Sequence, residues 1–200
     1  MIETADAAAA LGQSPYAASK TLSRLAASGL VSAVRHGVWW MGPRIDAYRL
    51  HEYLTAPLPS YLSLQTALHL HGMVEQIPET YYAVSLARTQ RIATSAGHFS
   101  IHHVDPVLYG GFEETPSGAK IASPEKAIFD LAYLSGGATR LFAALPELEL
   151  PPRFRWREVE HWVGRVPSQR SRTLVGSRIE RFLGGQVPRR LAHRRRVPAR

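Results

Sequence analysis

The 200-residue sequence contains no cysteine, which excludes a disulfide framework and any thiolate chemistry. It also has no hydrophobic run long enough to cross a bilayer, and its first residues lack the basic and then apolar pattern of a secretion signal. We therefore predict a cytoplasmic protein with no membrane partner. Hydrophobic residues make up 45% of the chain, which is ample material for a packed core.

Lysine and acidic residues are scarce in the last quarter of the chain. Residues 153–200 contain 14 arginines, no lysine and three acids, a net charge of +11, whereas residues 1–152 carry ten basic and 13 acidic residues, a net of −3. Arginine favours planar, bidentate contact with phosphate or carboxylate, so the segment fits nucleic acid or an acidic protein surface. The alternative explanation of this arginine content is a genome rich in G and C, in which arginine is used wherever a positive surface residue is acceptable.

Acids are also absent from one side of the helix that the sequence predicts after Ser14. Ser14 and Pro15 form a hydroxyl cap followed by proline at the first helical position, and Gly29 is placed to end the helix. Apolar residues recur at helical spacing on one side, and the other side is small, polar and basic. The apolar side consists of Ala18, Leu22, Leu25 and Ala26, and the opposite side of Tyr16, Ala17, Lys20, Ser23, Arg24 and Ala27.

A second helix and a hairpin flank this helix. Thr4 is placed to cap a short alanine-rich helix over residues 5–11, and residues 12–14 form the turn between the two helices. Residues 30–35 and 38–41 are predicted as two short strands around His36 and Gly37. This order is typical of a winged helix-turn-helix, although the helix that usually precedes the pair is missing or replaced by a later segment.

The winged arrangement predicts how the chain would bind double-stranded DNA. Lys20, Ser23 and Arg24 would approach bases in the major groove, and the phosphates or the groove wall would be contacted by Tyr16, Arg35 and His36. The alternative interpretation is an ordinary helix–hairpin packing unit with a solvated basic face.

We predict an α+β protein in three parts. Residues 1–55 form the winged helix-turn-helix domain, residues 60–150 a mixed α/β domain, and residues 151–200 a helical, Arg-rich C-terminal segment; residues 56–59 (APLP) are a stiff connector. Further helices are predicted at residues 48–54, 64–71, 124–134, 156–166 and 171–183, and further strands at 81–86, 98–104, 109–112 and 119–122. Ser63 and Ser123 are the predicted caps of two of these helices.

The middle of the chain resembles the AbiEi antitoxin family. The resemblance is carried by residues 61–72 (YLSLQTALHLHG), 81–89 (YYAVSLART), 99–104 (FSIHHV) and 121–134 (IASPEKAIFDLAYL). Its most specific parts are the pattern from Ser63 to Gly72 and the Pro124-Glu125-Lys126-Ala127 run before Asp130. Residues 22–30 also resemble the family's recognition helix, so the resemblance covers most of residues 1–135.

What the resemblance implies is an antitoxin that is encoded beside a nucleotidyltransferase-like toxin. Such a protein represses its own operon by binding the promoter through its winged domain, and it counteracts the toxin through its second domain. An alternative function is a protein-binding inhibitor whose basic C-terminal segment covers an acidic toxin site, with incidental DNA binding.

Catalytic and metal-binding patterns are weak in this sequence. Four histidines, His69, His71, His102 and His103, suggest a zinc site, but each neighbouring pair would point in different directions on its helix or strand. Core or hydrogen-bonded histidines are the preferred interpretation. Glu125 and Lys126 are adjacent rather than alternating, which does not fit the metal site of a nuclease. We therefore predict no catalytic residue, no metal site, no cofactor and no enzymatic activity.

Overall fold

A computed structural model describes residues 1–135 and 148–187 of the chain, and within them the fold is mixed α+β. The helices are α1 (Thr4–Leu11), α2 (Pro15–Ala27), α3 (Ala47–Thr55), α4 (Leu64–Leu70), α5 (Pro124–Leu134), α6 (Trp156–Arg165) and α7 (Gln169–Leu183). The strands are β1 (Ile2–Glu3), β2 (Ser32–Arg35), β3 (Val38–Trp40), β4 (Ser60–Leu62), β5 (Thr80–Ser85), β6 (Gln90–Thr94), β7 (Gly97–His103), β8 (Phe112–Glu114) and β9 (Lys120–Ala122).

The N-terminal part consists of α1, α2 and a three-stranded antiparallel sheet in the order β1-β3-β2. The predicted start of α2 is confirmed, because the Ser14 hydroxyl accepts a hydrogen bond from the Ala17 amide and Pro15 is the first helical residue. Ala18 and Leu22 of α2 are buried, and Leu22 joins a small core with Ala7 of α1 and Trp39 of β3. The helix pair and the hairpin therefore pack as one unit.

The second sheet has six strands in the order β6-β7-β5-β4-β9-β8. The pairs β5–β7 and β4–β9 are parallel, and the other neighbours are antiparallel. Successive residues of the central strands point to opposite faces, so the sheet separates two hydrophobic cores. Tyr61 and Val84 belong to one core, whereas their neighbours Leu62 and Ala83 belong to the other.

Each face of the sheet is covered by a different set of elements. Leu50 and Leu54 of α3 cover one face, together with Val34 and Val38 of the N-terminal hairpin. The opposite face is covered by α4 and α5, and α6 and α7 pack against α5. The N-terminal part and the C-terminal helices consequently lie on opposite sides of the six-stranded sheet.

Several local predictions about the elements were wrong. Thr4 is the first residue of α1 rather than its cap, because its hydroxyl instead donates to the Gly37 carbonyl and accepts from the Trp39 indole. Ser63 stands at the cap position of α4, but its hydroxyl makes no capping bond and donates to Asp130. In both cases the hydroxyl bonds a group distant in the sequence instead of the backbone N–H of its own helix.

The strand predicted at residues 109–112 was also wrong. A 3-10 helix at Pro106–Leu108 precedes it, capped by the Asp105 carboxylate on the Val107 amide, and β8 begins only at Phe112. The two glycines in between, Gly110 and Gly111, have φ values of 132° and 72°, which take the backbone out of the extended conformation. Strands β1, β4 and β6 were not predicted. The part of the predicted C-terminal segment beyond residue 187 lies outside the described residues, as do residues 136–147 of the predicted α/β domain.

Candidate functional site

The predicted DNA-contacting residues of α2 all lie on the solvent side of the helix. Tyr16 is 78% exposed, and Lys20, Ser23 and Arg24 are exposed as well. The face they share contains no acid, so the two cations meet no neutralising partner on their own helix. Nothing of the sheet covers this face, and it can therefore approach a macromolecular surface.

Ser23 is already engaged within α2. Its hydroxyl donates to the Ser19 carbonyl, at an oxygen–oxygen distance of 2.9 Å. With its proton committed, the Ser23 oxygen is left as an acceptor. It can accept from a donor on a ligand, such as the amino group of a base, without breaking this bond.

Arg35 and His36 are exposed at the tip of the hairpin between β2 and β3. They line an open groove of about 520 Å³ whose other wall is the start of α1, at Glu3, Thr4 and Ala5. The structure thus places these two side chains beside α1 rather than in one continuous pocket with the exposed face of α2. The tip is held to α1 by the hydrogen bonds of Thr4 to Gly37 and Trp39.

The four histidines considered as zinc ligands are engaged elsewhere. His71 Nε2 donates to the Ala122 carbonyl at 2.7 Å, and His102 Nε2 lies 3.0 Å from the Ser100 hydroxyl. His69 and His103 each bond a backbone carbonyl through Nδ1. The interpretation of these residues as hydrogen-bonded histidines is confirmed. Across the residues that the structure describes, no group of three or more His, Cys, Asp or Glu is arranged to hold a metal ion.

A buried polar cluster, consisting of Tyr61, Ser63, Lys126 and Asp130, lies between the sheet and α5. All four residues are fully buried. The Asp130 carboxylate forms an ion pair with the Lys126 ammonium and accepts hydrogen bonds from Ser63 at 2.8 Å and Tyr61 at 3.1 Å. Burial raises the pKa of Asp130 and lowers the pKa of Lys126, and their contact opposes both shifts.

Aromatic rings enclose the Lys126 ammonium. Its nitrogen lies 4.6 Å from the ring centroid of Trp162, 4.9 Å from that of Phe129 and 5.4 Å from that of Tyr61. These cation–π contacts supply part of the stabilisation that water would otherwise give the charge. Because Trp162 belongs to α6, Lys126 connects α5 to the C-terminal helices.

Glu125 makes a second connection to the C-terminal helices. Its buried carboxylate accepts from the backbone amide of Arg155, the cap residue of α6, at 2.7 Å. Arg178 of α7 donates to the carbonyl of Ala132 near the end of α5. Glu125 and Lys126 of the sequence motif therefore hold α6 against α5, through the Arg155 amide and the Trp162 ring.

Sequence reasoning missed this buried cluster. Its signal was a lysine and an aspartate four residues apart in a helix whose other residues are almost all apolar, at Lys126 and Asp130 of PEKAIFDLAYL. Charged residues at that spacing share one face of a helix, and here that face points inward. Because no solvent reaches the cluster, its chemistry is to hold elements together rather than to meet a substrate.

Throughout residues 1–135 and 148–187, each helix is too short or too polar to span a lipid bilayer. No protein-family model matches the chain, and a search of curated proteins finds no match.

Proposed function

We propose that this chain is a DNA-binding autorepressor and antitoxin whose α2 enters the major groove of its own promoter. The observation that carries the DNA-binding part is the exposed face of α2, on which Lys20, Ser23 and Arg24 are accessible and no acid is present. Small neighbouring side chains, Ala17 and Ala27, would let the helix backbone approach the duplex closely. Such a surface suits a groove lined by phosphates.

The neighbouring elements support this assignment. The order β1, α1, α2, β2, β3, with β1 paired to β3, is that expected of a winged helix-turn-helix in which β2 and β3 form the wing. Arg35 and His36 at the wing tip would contact phosphate on the flank of the groove.

The antitoxin part of the proposal depends on the resemblance of residues 61–134 to the AbiEi family. The partner that it implies is a nucleotidyltransferase-like toxin. We expect co-expression of this chain to restore growth to cells arrested by such a toxin encoded in the neighbouring gene. Continued arrest, with the chain present at levels that repress the promoter, would leave a DNA-binding repressor without antitoxin activity.

An electrophoretic shift of the chain's own promoter fragment tests the DNA-binding part. Lys20→Ala/Arg24→Ala should weaken binding by at least tenfold, since each lost base or phosphate contact costs about 1–3 kcal/mol. Arg88→Ala/Arg91→Ala is the matched control, because these two exposed arginines belong to β6 and the loop before it rather than to α2, and their loss changes the net charge equally. The control should bind like the parent.

The salt dependence gives an independent measure of the same contacts. The logarithm of the binding constant should fall linearly with the logarithm of the salt concentration, and the slope should become shallower in Lys20→Ala/Arg24→Ala. A folded double variant with unchanged affinity and slope would refute the role of α2.

A further inference from the structure

The C-terminal helix α6 carries a second exposed basic face. Arg157, His161, Gly164 and Arg165 are all exposed, and their spacing places them on one side of the helix. The opposite side buries Val159 and Trp162 against α5. The two acids of α6, Glu158 and Glu160, are only partly exposed and flank this face.

The two guanidinium groups of this face are available to a ligand. Within the residues that the structure describes, neither Arg157 nor Arg165 takes part in an ion pair. Glu158, the nearest acid along the chain, lies 4.0 Å from Arg155 instead. The Arg165 guanidinium carbon lies 5.0 Å from the Trp162 ring centroid, which fixes the direction of the side chain without neutralising its charge.

The composition of the α6 face favours nucleic acid over an acidic protein as the partner. Protein–protein interfaces have an apolar core with aromatic anchors, whereas interfaces with nucleic acid are more polar and far more positively charged. The α6 face has two arginines, a histidine and a glycine, and α6 contributes no large hydrophobic residue to the exposed surface. Arginine also matches phosphate bidentately.

The position of α6 separates this face from α2. The N-terminal part packs on one side of the six-stranded sheet, and α6 lies on the other side beyond α5. The six-stranded sheet therefore stands between them, and the two basic faces belong to different layers of the molecule.

We infer that α6 is a second phosphate-binding surface, which contacts the backbone of a nucleic acid through Arg157 and Arg165 independently of α2. The chemistry is shared by double-stranded DNA and single-stranded RNA. Binding through these contacts is sequence-independent, because phosphates carry no sequence information. This inference goes beyond the proposed function and does not require it.

Fluorescence anisotropy with the full chain tests the inference. Lys20→Ala/Arg24→Ala serves as the parent, so that the α2 surface is already disabled, and the probes are a labelled DNA duplex of random sequence and a labelled single-stranded RNA. Adding Arg157→Ala/Arg165→Ala should weaken binding of at least one probe about tenfold. Because two phosphate contacts are lost, the slope of log K against log salt should become shallower by about 1.8 for the duplex, or about 1.4 for the single strand. The probe with the larger change identifies the source of the phosphate.

Two further variants control for charge and folding. Arg88→Ala/Arg91→Ala in the same parent removes an equal charge from another exposed region and should leave the affinity unchanged. Arg157→Ala alone keeps the Arg165–Trp162 contact and should still weaken binding, which separates phosphate contact from disturbance of α6.

Three outcomes would overturn the inference. The first is unchanged affinity in folded Arg157→Ala/Arg165→Ala. The second is an equal loss of affinity in the Arg88→Ala/Arg91→Ala control. The third is that polyglutamate displaces the probe as effectively as unlabelled duplex does at equal charge. The last outcome would assign the face to an acidic protein. The promoter shift of the α2 variants is measured separately, so failure of the proposed function and failure of this inference are distinguishable.

Discussion

The Lys126–Asp130 pair shows at the scale of single residues how a buried charge is tolerated. An isolated carboxylate in this position would be strongly destabilised, but Asp130 has one cationic partner and two hydroxyl donors, Ser63 and Tyr61. The ammonium of Lys126 has the carboxylate and three aromatic rings. Each member of the cluster therefore depends on the others.

Removing one charge should consequently cost more than removing both. Lys126→Met leaves a buried carboxylate without a cation, and we expect the free energy of unfolding to fall by about 3–5 kcal/mol. Lys126→Met/Asp130→Asn should recover part of that loss, because the neutral amide oxygen still accepts from Ser63 and Tyr61. Urea unfolding of the two variants and of Asp130→Asn gives the coupling energy. Strictly additive losses would contradict the dependence described here.

His51 is a second buried ionisable residue, and it lies between α3 and β4. Its Nδ1 is 2.7 Å from the Ser60 hydroxyl, which also bonds Thr55. Its Nε2 is buried and finds no hydrogen-bond partner among the residues that the structure describes. Burial, reinforced by the positive charge of Lys120, lowers the pKa of His51 from 6.5 to about 3. The ring is therefore neutral in the folded protein at neutral pH.

This shift predicts a loss of stability in mild acid. Between pH 6.5 and 3 the unfolded chain binds a proton at His51 that the folded chain does not bind, so the free energy of unfolding falls as the pH falls. The loss from this residue approaches about 1.4 kcal/mol for each pH unit well below 6.5. His51→Gln keeps a hydrogen-bonding group but cannot titrate. Urea unfolding at pH 7 and pH 5 should show a smaller loss in the variant, and equal losses would rule out the contribution of His51.

At the scale of elements, α6 is fitted closely onto the loop before β8. Gly111 has a φ of 72°, and a Cβ at this position would lie 2.7 Å from Trp162 Cζ2 and 3.0 Å from Lys126 Cγ. The Gly111 carbonyl also accepts from the amide of Ser123, the cap of α5. The loop, α5 and α6 thus meet at a point that leaves no space for a side chain.

Gly111→Ala should therefore be more destabilising than a comparable substitution elsewhere. Gly72 is the matched control, because its φ is 68° and nothing lies within 4 Å of the position of its Cβ. Gly72→Ala should lower the free energy of unfolding by about 1–2 kcal/mol through backbone strain alone. Gly111→Ala should lower it by about 1–3 kcal/mol more, because its methyl group overpacks the contact with Trp162 and Lys126. The comparison is made by guanidinium chloride unfolding. Equal losses of stability in the two variants would show that α6 shifts to make space for the methyl group.

At the scale of the whole molecule, the N-terminal part shares a core with the six-stranded sheet. Val34 and Val38 of the hairpin and Leu54 of α3 pack in the same cluster as Phe99 and Ile101 of β7. Ser95, in the turn between β6 and β7, also donates to the carbonyls of Ala33 and Val34 in β2. These contacts connect the hairpin to the edge of the sheet.

A fragment of residues 1–58 should consequently fail to fold cooperatively. It would expose the side chains that pack on the sheet, each of which contributes roughly 1.5–3 kcal/mol when buried. A domain of this size is only marginally stable. Thermal unfolding followed by circular dichroism should show a broad, non-cooperative change for the fragment and a cooperative transition for the full chain. A cooperative transition of the fragment within a few degrees of the full chain would show that the sheet does not support the N-terminal part.

The sequence by itself determined the helices whose ends are defined by local chemistry. The Ser14-Pro15 and Ser123-Pro124 pairs cap α2 and α5 as predicted, because a cap needs only a hydroxyl and the next few backbone amides. The solvent side of α2 followed in the same way from helical periodicity. Three short strands escaped prediction: β1 has only two residues, β4 is buried throughout and shows no alternation, and Ile92 is the only buried residue of β6.

Only the tertiary structure decided which polar residues face inward and on which side of the sheet each basic helix lies. Ser63 and Asp130 are 67 residues apart in the chain, and their hydrogen bond exists because β4 and α5 pack together. The Thr4 hydroxyl likewise bonds Gly37 and Trp39 of the hairpin instead of capping α1 as predicted. Pairings of this kind depend on how the layers stack, which no local pattern of residues encodes.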